Sequence, residues 1–141
     1  NELRMDGGES LAYLTGETQS TRMSSQAEQY VPLTESTYLI MLSLLRPMHG
    51  YGVMQEAKEL TGGVVRLGPG TMYGALTALQ ERGMIDPVEP AESADGAGRG
   101  RQRKEYVLTE LGREVLRLEQ ARLQKLADIG REVMGYGAAR S

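Results

Sequence analysis

The sequence predicts a mainly α fold with a small β-hairpin: three short helices, a two-stranded hairpin and one long C-terminal helix. Three observations predict it. Apolar residues recur at helical spacing in three segments between residues 34 and 82, and two short β-branched or aromatic runs flank a Gly-rich polar stretch. An apolar stripe then extends over roughly 20 residues near the C-terminal end. A length of 141 residues fits one compact domain with an extension.

Residues 1–32 read as a flexible polar arm rich in Gly, Ser, Thr, Glu and Gln, with Leu11, Tyr13 and Leu14 as a brief apolar group. Through residue 34 the arm carries five carboxylates against Arg4 and Arg22. Met23-Ser-Ser has the form of a natural start, which leaves residues 1–22 open as native chain or added extension. Order is expected from about Leu33. Thr34-Glu-Ser-Thr can cap a helix that buries Tyr38, Leu39, Met41, Leu42 and Leu45, and Pro47 ends it. A second helix spans about Tyr51 to Leu60, with Val53, Met54, Ala57 and Leu60 inward, and stops at Thr61-Gly-Gly.

The turn Gly68-Pro-Gly leads into a third helix over about Thr71 to Arg82, with Thr71 as its N-terminal residue. Met72, Ala75, Leu76 and Leu79 face inward, whereas Thr71, Tyr73, Gly74 and Thr77 face outward. Met84-Ile-Asp-Pro-Val and Lys104-Glu-Tyr-Val-Leu then form the hairpin around a Gly-rich tip. Thr109-Glu-Leu-Gly starts the final helix. Its stripe of Leu111, Val115, Leu118, Arg122, Leu126, Ile129 and Val133 exceeds what the preceding core needs, and a second copy is its natural cover. The expected organisation is an arm over 1–32, a winged helix-turn-helix unit over 33–108, a dimerisation helix over 109–135 and a flexible tail over 136–141.

Composition closes several functional classes. With no cysteine there is no disulfide, thiolate ligand or cysteine nucleophile in this chain, and one histidine, His49, cannot build a His-rich zinc site. No metal and no cofactor are expected. No apolar run approaches the roughly 20 residues that cross a bilayer, and no signal-peptide pattern opens the chain, so a cytoplasmic location is expected. Gly68-Pro-Gly and Gly96-Ala-Gly-Arg-Gly lack the strand, spacing and lysine of a P-loop, and no Ser-His-carboxylate pattern is recognisable. The chain is not expected to be an enzyme.

The net charge of −3 hides a strong asymmetry, because Arg99, Arg101, Arg103 and Lys104 place four cations in six positions. Three helices followed by a hairpin is the order that lays one helix in the major groove and a basic loop against the backbone. A glycine-loosened cationic loop releases counterions when it meets phosphates. Thr71 and Tyr73 can donate hydroxyl hydrogens to phosphate at the start of the third helix, and Arg66 and Thr77 are further DNA-binding candidates. Each has an ordinary alternative: a helix cap for Thr71, packing for Tyr73, and a solvated hairpin tip for the arginines. His49 is expected to fix the entry of the second helix.

Several stretches together resemble the PadR family of bacterial transcriptional regulators. They are Tyr38-Leu-Ile-Met-Leu-Ser-Leu-Leu, Met48-His-Gly-Tyr-Gly, Leu67-Gly-Pro-Gly-Thr-Met-Tyr-Gly-Ala-Leu, Leu79-Gln-Glu-Arg-Gly-Met-Ile and Arg103-Lys-Glu-Tyr-Val-Leu-Thr-Glu-Leu-Gly. The resemblance implies a homodimer that binds double-stranded operator DNA through the third helix and pairs through the C-terminal helix. It places Thr71 and Tyr73 at the start of the reading helix. Gly74 departs from relatives that carry a larger or basic residue nearby, which weakens direct base reading. The ordered helices and the cationic wing lead us to expect sequence-selective binding to a two-fold operator and repression by occlusion of a promoter; the alternative is a small-molecule-responsive or protein-interaction module on the same fold. With no tryptophan or phenylalanine, the chain offers little stacking surface for a planar effector.

Overall fold

The computed structural model describes residues 19–89 and 104–135. In chain order the elements are α1 (Gln19–Glu28), α2 (Glu35–Ser43), β1 (Met48–His49), α3 (Gly50–Leu60), α4 (Pro69–Glu81), β2 (Ile85–Val88), β3 (Glu105–Leu108) and α5 (Glu110–Val133). The sheet order is β1-β3-β2 with both pairings antiparallel. Pro87 lies on β2, an edge strand, where a missing amide hydrogen costs the sheet little.

Side-chain caps set three helix starts. The Thr34 hydroxyl accepts from the Thr37 amide at 3.1 Å, the Nδ1 of His49 accepts from the Gly52 amide at 3.1 Å, and the Thr109 hydroxyl accepts from the Gly112 amide at 3.0 Å. α2 is apolar around most of its circumference because it runs through the centre of the core: Ile40, Met41 and Leu44 are fully buried. Val53 and Ala57 from α3, Met72, Leu76 and Leu79 from α4, and Val115 and Leu116 from α5 are buried with them. Two expected core positions differ. Leu45 follows the Leu44 cap and turns outward, and Leu60, the last residue of α3, is half exposed.

The hairpin is tied to α5 through one junction. Thr109 donates its hydroxyl hydrogen to the Gly83 carbonyl at 2.7 Å, and its amide donates to the Met84 carbonyl at 3.0 Å. The Met84 carbonyl oxygen lies only 2.2 Å from where a Cβ on Gly112 would stand. The Leu-Thr-x-x-Gly pattern is therefore a cap followed by a close backbone approach.

The polar N-terminal segment departs from expectation where it is described. Rather than remaining loose up to Leu33, it forms α1 and packs along α5, burying Ala27 and applying Tyr30, Val31 and Leu33 to the core. A low mean hydropathy hid this helix, whose order comes from tertiary contacts. The Ser24 hydroxyl donates to the Glu114 carboxylate, and Glu119, only 1% exposed, holds Arg122 through bonds of 2.9 and 2.7 Å. The Arg122 hydrogen bond, with the Leu33 amide in support, holds the Glu119 carboxyl below its ordinary range against the opposing effect of burial. The Glu119 contribution to stability is therefore complete above the unfolded-chain pKa and is lost as pH falls through the lower folded value.

The long stripe on α5 also divides. Val115 is wholly buried in this chain's own core and Leu111 and Leu118 pack against it, so these three expected dimer contacts are used internally. Leu126, Ile129 and Val133 are each half exposed or more.

Candidate nucleic-acid interface

The first turn of α4 forms the centre of the candidate surface. Gly68, in extended conformation, is its N-cap and Pro69 its first residue, so the helix starts two residues before Thr71. Proline suits that place because its missing amide hydrogen would have had no partner there. Thr71 is exposed within the first turn and is not the cap. The first-turn amides point out of the helix end, where the backbone dipole favours an anion.

Tyr73, the fifth residue of α4, projects just beyond that turn, 54% exposed, with its hydroxyl over the start of α3. A Cβ on Gly50 would come within 3.0 Å of that hydroxyl and 2.9 Å of Met72 Cε, so Gly50 allows the two helices to meet. Tyr51, half exposed beside Gly50, accepts a hydrogen bond from Gln55 Nε2 at 2.9 Å. Its ring stacks near His49 with centroids 6.5 Å apart. His49 caps α3, as its sequence position led us to expect. Tyr51 is thus exposed at the start of α3, and Tyr73, near the start of α4, holds its hydroxyl beside Gly50.

Thr77 lies one turn further along α4, exposed, donating its hydroxyl hydrogen to the Tyr73 carbonyl at 3.0 Å. Arg66, in the approach to α4, is exposed and donates its Nε hydrogen to the Gly63 carbonyl at 3.3 Å. Gly74 is exposed on the same face, and a Cβ there meets nothing within 4 Å. Gly74→Ala is expected to stabilise the fold by about 0.5–1 kcal/mol, since glycine carries an entropic cost inside a helix. A thermal melt checks it as a rise of a few degrees.

Strand register brings the base of the wing to this edge. Glu105 pairs with His49 on one side and with Val88 on the other, so exposed Lys104 leaves the sheet beside the strand that leads into α3. Arg99, Arg101 and Arg103 lie between β2 and β3 in the sequence but outside the described residues. Sequence reasoning missed β1, whose two residues are too short for any periodicity, and hence the pairing that links wing and α3. The Gly50 contact was also missed, although the His-Gly-Tyr pattern carried its signal.

The sequence model of the PadR-like transcriptional regulator family matches residues 39–118, from within α2 to within α5. This chain belongs to the PadR-like family. That family comprises transcriptional regulators rather than enzymes. The fold is shared with a PadR family regulator from Clostridium difficile at a TM-score of 0.57 and 24% identity, covering 72% of this chain and all of that one. A PadR family regulator from Eggerthella lenta gives 0.56 at 21% identity over 88% and 96% of the two chains. Bacillus subtilis PadR, solved in complex with operator DNA, gives 0.51 at 24% identity over 61% and 46%.

A 37.1 kDa protein of transposon Tn4556 from Streptomyces fradiae is 33% identical over 96 residues, covering 67% of this PadR-like chain and 25% of the relative. The chain thus spans about a quarter of that relative's length. Among the described residues no helix is long and apolar enough to cross a membrane.

Proposed function

We propose that this PadR-like chain binds double-stranded DNA as a homodimer on a two-fold operator and represses transcription by occluding a promoter. The observation that carries the reading is the joining of two elements at one edge: the exposed first turn of α4 with Tyr73, and Lys104 at the base of the wing. A helix start that favours anions beside a cationic hairpin matches a duplex groove and its flanking phosphates. Thr71, Tyr73, Thr77 and Arg66 are proposed DNA contacts from the helical side. Lys104, Arg99, Arg101 and Arg103 are the proposed contacts from the wing. The solved complex of Bacillus subtilis PadR with operator DNA supports the same use of the fold.

The homodimer reading rests on Leu126, Ile129 and Val133, an aliphatic face left uncovered by the other described residues. Two copies that bury this face would present two reading helices to one duplex. The paired replacement Leu126→Ser and Ile129→Ser should leave the monomer folded, because both side chains are already half exposed. Sedimentation is expected to show a monomer, and operator affinity to fall about 10²-fold as avidity is lost. An intact dimer would refute the seam. Mobility-shift titration against DNA upstream of the protein's own gene tests the DNA reading itself: retardation of that fragment over a scrambled one is expected, and equal retardation would sink sequence selectivity.

A further inference from the structure

Two glycines stand inside α5, and contacts within this chain explain only one of them. Gly112 lets the Met84 carbonyl approach the helix backbone. Gly130 has no such neighbour: a Cβ there meets nothing within 4 Å among the described residues, and its φ is not positive. A glycine inside a helix lowers stability relative to alanine, so its use at such a place points to a close approach from outside the chain. The residues around it show what kind of surface approaches. Leu126 lies four residues before Gly130, Ile129 directly before it, and Val133 and Met134 three and four residues after it. Steps of three and four keep neighbours on one helical face, and all four of these side chains are exposed by half or more. Gly130 is thus a notch within the uncovered aliphatic face. Lys125 and Glu132, seven residues apart, run along one flank of that face, both exposed and neither in an ion pair among the described residues.

Resting on the homodimer reading, we propose that the α5 helices of two copies cross antiparallel at Gly130, each backbone seated in the notch of the other. Side chains ordinarily hold packed helices about 8–10 Å apart. Glycine removes the side chain that sets this spacing, so the two backbones come closer and the aliphatic residues of both copies close around the crossing. A two-fold axis at that point makes the contact self-matching. In an antiparallel pair the flank that carries Lys125 faces the same flank of the second copy, which turns each lysine toward the partner's Glu132. Opposite charges on one flank therefore suit a second copy of this chain better than an unrelated apolar partner. Gly130 fixes where the copies cross, and with it the separation of their two α4 helices.

Gly130→Ala and Gly130→Leu test the crossing. In the single chain the added atoms enter open space and a helix glycine is removed, so the thermal midpoint at a dilution where the protein is dissociated is expected not to fall. Sedimentation equilibrium is expected to show the dimer dissociation constant raised at least about tenfold by Gly130→Ala, with no dimer left for Gly130→Leu at the same concentrations. A face that merely buries aliphatic surface predicts the reverse, because both substitutions add apolar area to it. Dissociation constants unchanged or lowered in both variants would overturn the crossing and leave the homodimer standing. Lys125→Glu is expected to weaken the dimer several-fold at low salt, and Lys125→Glu combined with Glu132→Lys to restore it. Failure of the double replacement to restore it overturns the antiparallel orientation. An unmodified chain that sediments as a monomer overturns this inference and the homodimer reading together.

Discussion

Replacing Arg99, Arg101 and Arg103 with alanine is expected to weaken operator binding by at least about 10²-fold at 0.1 M salt. Each phosphate contact contributes about 0.9 to the slope of log affinity against log salt concentration. Loss of three such contacts from each of the two chains should make that slope shallower by about 5, and the gap between the two proteins should narrow as salt rises. Arg131→Ala removes an exposed cation on the far half of α5 and should leave both quantities within error. The pattern separates a wing that meets DNA from one that merely balances local carboxylates. Titrations at four salt concentrations suffice, and parallel slopes would remove the wing from the interface.

Gly112→Ala is expected to be the most damaging single substitution in the fold. The added Cβ would stand 2.2 Å from the Met84 carbonyl oxygen, which is itself held by the Thr109 amide at 3.0 Å. No rotamer change relieves a clash with backbone, so α5 must shift away from the hairpin or the Thr109 cap must break. A cost of roughly 3 kcal/mol or more follows, at the upper end of overpacking penalties. Thermal melting should show a fall of more than about 10 °C, against a small rise for Gly74→Ala, where the same atom enters open space. An unchanged midpoint for Gly112→Ala would disprove the close approach.

Local chemistry in the sequence explains much of this architecture. Thr34 and Thr109 precede apolar periodic runs and cap them, His49 begins α3, and Met72, Leu76 and Leu79 repeat at helical spacing on the buried face of α4. The outward set of Thr71, Tyr73, Gly74 and Thr77 follows from the same period. What escaped detection depends on contacts between distant segments. α1 is polar in composition and is held by Ala27 and its packing on α5, while β1 exists only as a partner for β3. The helix starts at Pro69 rather than Thr71, because Gly68, a cap without a side chain, leaves little local trace.

The apolar stripe of α5 shows a similar boundary between local and distant information. Periodicity identified one continuous face, but it could not divide that face between Val115, consumed by the chain's own core, and Leu126, left open. Glu119 was absent from the expected stripe because a carboxylate at a buried position runs against composition; only its pairing with Arg122 makes the position tenable. The exposed face of α4 was therefore legible, while Arg99, Arg101 and Arg103 lie outside the described residues. The bridge to the base of the wing was not legible, since it depends on the register of His49 with Glu105.

Hydroxyl-radical footprinting of the full chain on its upstream DNA tests the central claim most directly. Two protected patches on one face of the duplex, about one helical turn apart, are the predicted result. Both should disappear together in the Leu126→Ser, Ile129→Ser protein at a concentration that saturates the unmodified one. A single patch, or two patches indifferent to those serines, would contradict a paired chain that reads successive grooves.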